Sequence, residues 1–106
     1  MPAVARAAGT DTVYSLTGSS SGCNSPMNTT TGVNGSPNVF VNGIAVVRQG
    51  DTVGAHPRSG CIITDTSVLT TFSATVFVNG LGIGRVGDQY TSDNTITSGS
   101  PTVFAG

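Results

Sequence analysis

Apolar residues along this chain come in short bursts and never at sustained helical spacing. Val39-Phe-Val41, Val76-Phe-Val78 and Val103-Phe-Ala105 are runs of β-formers bounded by Ser, Asn, Thr, Pro or Gly, and such a burst between turn signals predicts a strand. Asn42-Gly43 and Asn79-Gly80 follow the first two. Two adjacent residues that tolerate positive φ predict a tight type I′ hairpin, with return strands at Ile44 to Arg48 and Leu81 to Val86. No segment keeps a 3.6-residue apolar period over an ordinary helix length, so the pattern predicts an almost all-β chain.

The bursts belong to a longer repeat. Gly35-Ser-Pro-Asn-Val-Phe-Val-Asn-Gly43 returns as Phe72-Ser-Ala-Thr-Val-Phe-Val-Asn-Gly80 and as Gly99-Ser-Pro-Thr-Val-Phe-Ala-Gly106. The intervals are unequal, as expected of equivalent strands joined by loops of different length. The sequence after the motif repeats too: Ile44-Ala-Val-Val-Arg48-Gln-Gly50-Asp51 matches Gly82-Ile-Gly-Arg85-Val-Gly87-Asp88. The third copy stops at Gly106, but its second half is found at the other terminus as Ala3-Val-Ala-Arg6-Ala-Ala-Gly9-Thr10-Asp11, with an insertion before the acid. The third unit is therefore split between the termini. Residues 3–9 are expected beside 102–105, closing three hairpin-like repeats into a small pseudo-threefold body that occupies 1–106 as one domain. An open repeat array would instead need caps. Three connections join the units. The stretch 16–34 reads as loop, 52–71 is a second long connection, and 89–98 is the shortest. Arg6, Arg48 and Arg85 are expected to pair structurally with turn groups such as Asp11, Asp51 and Asp88. Phe40, Phe77 and Phe104 are expected in the core.

Composition narrows the function classes. Charged residues are 8% of the 106, against about 25% in average globular proteins, and the chain carries a net charge of −1 with no Lys. There is no basic patch to neutralise a run of phosphates, so nucleic acid is not expected as a partner. No apolar run approaches the ~18–20 residues of a membrane span, and no signal peptide pattern opens the chain.

With its three Val-Phe motifs and two matched Arg-x-Gly-Asp turns, nearly the whole chain resembles the PAAR-repeat family, the small conical proteins that tip the spikes of contractile injection machines such as phage tails and type VI secretion systems. The tetrapeptide Pro-Ala-Ala-Arg is absent; Ile44-Ala-Val-Val-Arg48 and Leu81-Gly-Ile-Gly-Arg85 stand in its place. The resemblance implies a monomer seated by its wide base on the threefold axis of a trimeric β-helical spike protein, sharpening it for envelope piercing. It also implies a tip that touches the target envelope transiently and holds one zinc ion through His and Cys from the connections. The location implied is a virion tail tip or the tip of a bacterial secretion spike.

Cys23, His56 and Cys61 lie in those connections, and thiolate with imidazole is the donor set that suits tetrahedral zinc. A fourth ligand is not obvious. Asp93 ranks first because the third connection otherwise contributes nothing; Asp65 and water are alternatives. The residues alone also allow a solvated His and two cysteines that form a disulfide or pack as small apolar groups. Cys61, His56 and an Asp satisfy the types for a thiol nucleophile and its base, but no nucleophile motif or oxyanion donor accompanies them, so the chain is not expected to be an enzyme. A carbohydrate-binding or adhesive β-module would suit the Ser, Thr and Asn content, while the lack of Trp and the two Tyr argue against stacking on sugar rings.

Overall fold

In the computed structural model the described residues are 1–15, 27–56, 64, 66–91 and 94–106. They are all-β, with no helix among them. Seven short strands run β1 (Thr12–Ser15), β2 (Met27–Thr30), β3 (Phe40–Val41), β4 (Ile44–Ala45), β5 (Phe77–Val78), β6 (Leu81–Gly82) and β7 (Asn94–Ile96). β3 pairs with β4 and β5 with β6, each across its Asn-Gly turn. Asn42 and Asn79 have φ of 54° and 55°, and the glycines that follow have 76° and 75°, as a type I′ turn requires.

Closure takes place around an axis. Ala5 donates its N–H to Gly84 O (2.9 Å), Gly84 to Val47 O (2.8 Å) and Val47 to Ala5 O (3.1 Å), so three backbone amides form a closed ring. Isolated bridges repeat the pattern one residue away on either side: Arg6 with Val46, Arg48 with Ile83, and Arg85 with Val4. The split unit is completed as expected. Ala3 bridges Phe104, Val4 donates to Val103 O and Ala105 to Pro2 O, both at 3.0 Å.

Because successive side chains of an extended segment point to opposite faces, the ring separates two cores. Val4, Val46 and Ile83 turn one way and join Val78 and Ala105, with Val41 against them. Ala5 and Val47 turn the other way and join Val13, Val53, Tyr90, Leu69 and Ile96. The second core is enclosed by a further ring of pairings. β1 lies between β2 and β7, Thr31 bridges Val53, and Leu69 bridges Tyr90. The segment after each Asp thus pairs with its own return strand and with that of a neighbouring unit. The stretch 16–34, read as loop, contains β2; it is recruited by four register pairs to β1 and not by any apolar alternation of its own.

The units are matched but not identical, and the differences compensate. Phe72 stands where the other units have Gly35 and Gly99. Its ring lies on Gly82, where a Cβ would come within 2.1 Å of it; the other units place Ala45 and Ala3 at that position. At the axis the residues are Ala5, Val47 and Gly84, and a Cβ on Gly84 would approach Leu69 Cδ2 at 2.9 Å and Val47 Cγ1 at 3.2 Å. Side chains so close to a threefold axis cannot all be large, and one large residue is accommodated by a small one opposite.

Candidate functional site

Each unit carries the same clamp. Asp51 accepts from Arg48 N (2.8 Å), Nε (3.1 Å) and Nη2 (3.1 Å), and Asp88 accepts from the same atoms of Arg85 at 2.8, 3.0 and 3.1 Å. Asp11 does so for Arg6 at 2.7, 3.0 and 2.9 Å, although its turn is longer, with Arg and Asp five residues apart rather than three. The hydrogen bond to the carboxylate is the main reason the guanidinium pKa values of Arg6 and Arg85 lie above the ordinary arginine value. All three Asp side chains are almost fully buried, at 1%, 9% and 6% exposure. The structural pairing expected from the sequence is therefore present, and it leaves these charges internally neutralised.

A second matched set, to which no role was assigned from the sequence, is Ser36, Ser73 and Ser100. Each hydroxyl accepts the N–H of the residue three positions on, Val39, Val76 or Val103, at 2.9 Å. Each also donates across to another unit: Ser100 to Asn42 Oδ1 (2.6 Å), Ser36 to Asn79 Oδ1 (2.7 Å) and Ser73 to the Gly106 carbonyl. Gly106 occupies the Asn position of the third copy, so a backbone carbonyl takes over from a side-chain amide. The spacing Ser-x-x-Val-Phe was the available signal.

These clasps hold the Val-Phe pairs outward. Phe40, Phe77 and Phe104 are 56%, 58% and 48% exposed, and Val39, Val76 and Val103 are each 37% exposed. The expectation that the three rings lie in the core is therefore wrong. Each Phe alternates with the residue that follows it, and it is Val41, Val78 and Ala105 that face the core, which turns the rings to the opposite face. The molecule thus carries a collar of three matched apolar patches related by its axis. Val46 N bonds Val39 O and Ile83 N bonds Val76 O. Ladder alternation then turns the N–H and C=O of Phe40 and Phe77 away from their hairpin partners, so the patches coincide with strand edges.

At the other end, β1 and β2, the segments around Thr52 and Val68, and those around Gln89 and Thr95 form three hairpins. Their registers against one another are antiparallel, which brings their connecting ends to the same side. His56 sits there, buried at 4% exposure, with Nδ1 2.6 Å from Gly54 O. With a proton on Nδ1, Nε2 is the lone-pair nitrogen of the ring, as in a metal-ligating imidazole. Buried Ser15 lies opposite buried Asn94 in the register of β1 with β7, and Asn94 Nδ2 bonds Ser67 Oγ, also buried, at 3.3 Å. Cys23, Cys61, Asp65 and Asp93 lie outside the described residues. Among the described residues no group of three His, Cys, Asp or Glu could hold a metal.

The three seams between hairpins are unequal. Ser98 Oγ bonds Asp11 at one, and Thr71 Oγ1 bonds Asp88 at another. At the third, the matched position is Val33, which is 83% exposed. A cavity of about 380 Å³ opens there, lined by residues that include Gly9, Thr30, Gly32, Thr52, Gly54 and Thr66. Tyr90, matched to Val13 and Val53, is 2% exposed, and its hydroxyl meets no partner among the described residues. Burial, with the negative charge of Asp51 second, raises its pKa well above that of an ordinary phenol. No family model matches the chain, and no curated protein matches it.

Proposed function

We propose that this chain is a structural tip protein that caps a trimeric β-helical spike of a contractile injection machine, in a phage tail or a type VI secretion system. The observation that carries this function is the collar: three matched Val-Phe pairs, exposed around a closed pseudo-threefold ring. A single chain can meet three identical subunits only by offering each of them a similar surface. Exposed apolar residues on open strand edges are an association hazard unless a partner covers them. The Arg–Asp clamps leave no unpaired guanidinium on Arg6, Arg48 or Arg85, so the partner surface is expected to be apolar and uncharged, with backbone groups available for edge pairing. The function is mechanical, with no catalytic residue.

The hairpin end is then the point of the spike. His56 fits an imidazole ligand there by its burial and its bond to Gly54 O. Cys23, Cys61 and Asp93 are the further donors proposed for a zinc ion, which would cross-link loops unable to bury much apolar surface. Acid protonates imidazole and thiolates in competition with the metal, so zinc affinity is expected to fall as pH falls.

Phe40→Arg combined with Phe77→Arg tests the docking directly. The double variant is expected to keep its circular dichroism spectrum and to lose co-purification with a trimeric β-helix that ends in open strands. Retained binding would refute the collar as the docking surface. Cys23→Ser is expected to lower zinc content and leave docking intact.

A further inference from the structure

Asn42-Gly43 and Asn79-Gly80 pose a chemical problem that docking does not address. An Asn followed by Gly is the dipeptide most prone to spontaneous deamidation, because a glycine nitrogen is the least hindered nucleophile in a chain. The Gly nitrogen attacks the Asn side-chain Cγ, ammonia leaves, and a five-membered succinimide forms. Water then opens either carbonyl of the ring, giving Asp or, with the backbone rerouted through the side chain, isoaspartate. No oxidant or cofactor is needed. Both turns are exposed, and a Cβ built on either Gly would meet nothing within 4 Å, so sterics alone do not block the attack.

What restrains these amides is bonding. Asn42 Oδ1 accepts from Ser100 Oγ (2.6 Å) and Arg6 Nη1 (3.4 Å), and its Nδ2 donates to Thr102 Oγ1 (3.0 Å). Asn79 repeats this with Ser36 Oγ (2.7 Å), Arg48 Nη1 (3.3 Å) and Asn38 Oδ1 (2.8 Å). Each amide is gripped at both ends by a neighbouring unit or by the Arg clamp. Ring closure needs Cγ and the Gly nitrogen to come into bonding contact. That requires rotation about χ1 and ψ, away from positions fixed by these bonds and by the left-handed turn, with φ of 54° and 55°. The third copy has Gly106 at this position and so has no amide to lose.

We propose that Asn42 and Asn79 are two matched deamidation sites whose reaction is held back by the closed threefold ring, with Ser100 and Ser36 as the restraining groups. Opening the ring releases the reaction, so the modification records whether the chain has been folded and closed. The product is consequential: an isoaspartate lengthens the backbone of the turn that presents Phe40 or Phe77. The inference depends on the hydrogen bonds alone and stands whether or not a spike is the partner.

The test is peptide mapping by mass spectrometry after incubation at mildly alkaline pH, scoring Asp and isoaspartate at each turn. In the native protein both turns are expected to convert slowly, and in the urea-unfolded chain rapidly. In Ser100→Ala, Asn42 is expected to convert roughly tenfold faster, the factor matching loss of one hydrogen bond of ordinary strength, while Asn79 keeps its native rate. Ser36→Ala should reverse the selectivity. Equal rates in native and unfolded protein would overturn the proposal, as would a folded Ser100→Ala variant that accelerates neither turn or both alike. If Ser100→Ala does not fold, Thr102→Val decides the matter, since it keeps the Ser100 bonds to Asn42 and Val103 and removes the acceptor of the Asn42 Nδ2 along with one long 3.5 Å contact to Ser100 Oγ. It should speed Asn42 alone, and an unchanged rate would count against the restraint.

Discussion

Around the axial ring the three units agree almost bond for bond, whereas beyond the Arg–Asp clamps they diverge. On the ring side, three backbone amides, three Ser clasps and three Val-Phe pairs occupy equivalent positions, and even the missing third Asn is replaced by the Gly106 carbonyl. On the hairpin side, one axial position holds Val13, Val53 and Tyr90. The seams there are closed by Ser98 and Thr71 but left open beside Val33. Uniformity on one side and variety on the other is the pattern expected if the collar must meet a threefold partner and the hairpin end need not.

The clamps are the boundary between these regions, and removing one carboxylate should have the largest effect. Asp11→Ala leaves the Arg6 guanidinium and its backbone N–H without a buried acceptor, at a cost of about 3 kcal/mol. Asp51→Ala should cost about 1 kcal/mol less, because Asp11 also accepts from Ser98 Oγ and a hydrogen bond is worth about that much. Urea denaturation of the two variants measures the difference; equal losses would show that the third seam is no weaker.

The compensated packing comes next. Gly82→Ala drives a methyl into the Phe72 ring and should cost about 2 kcal/mol. Adding Phe72→Gly rewrites the second unit to match Gly35 and Ala45 of the first, and most of that loss should return. A double variant less stable than either single one would contradict the equivalence of the units.

Tyr90→Phe should have the smallest effect. It removes a buried hydroxyl that has no partner among the described residues, so stability should be unchanged or rise by up to about 1 kcal/mol. A clear fall in the thermal midpoint would mean that the hydroxyl is bonded in solution.

The closed threefold architecture was legible because its signal is a repeat, and a split repeat implies closure whatever its loops do. Phe40, Phe77 and Phe104 were misplaced for a local reason: in strands of two residues, Val and Phe are β-formers whether they face inward or outward, and no alternation is long enough to tell. Met27-Asn-Thr-Thr30 carries no strand signal because it has no apolar alternation of its own and its pairing is dictated by β1. Ser36, Ser73 and Ser100 stand within the repeated motif, yet their bonds run between units and depend on the closure. His56, a candidate by its chemistry, is buried at the hairpin end; its proposed companions Cys23, Cys61 and Asp93 lie outside the described residues.

The most direct test of the account is native mass spectrometry of the chain mixed with a trimeric β-helical spike ending in open strands. One chain bound per trimer, lost on Phe40→Arg with Phe77→Arg, is the predicted result. Three chains per trimer, or no complex at any concentration, would contradict it.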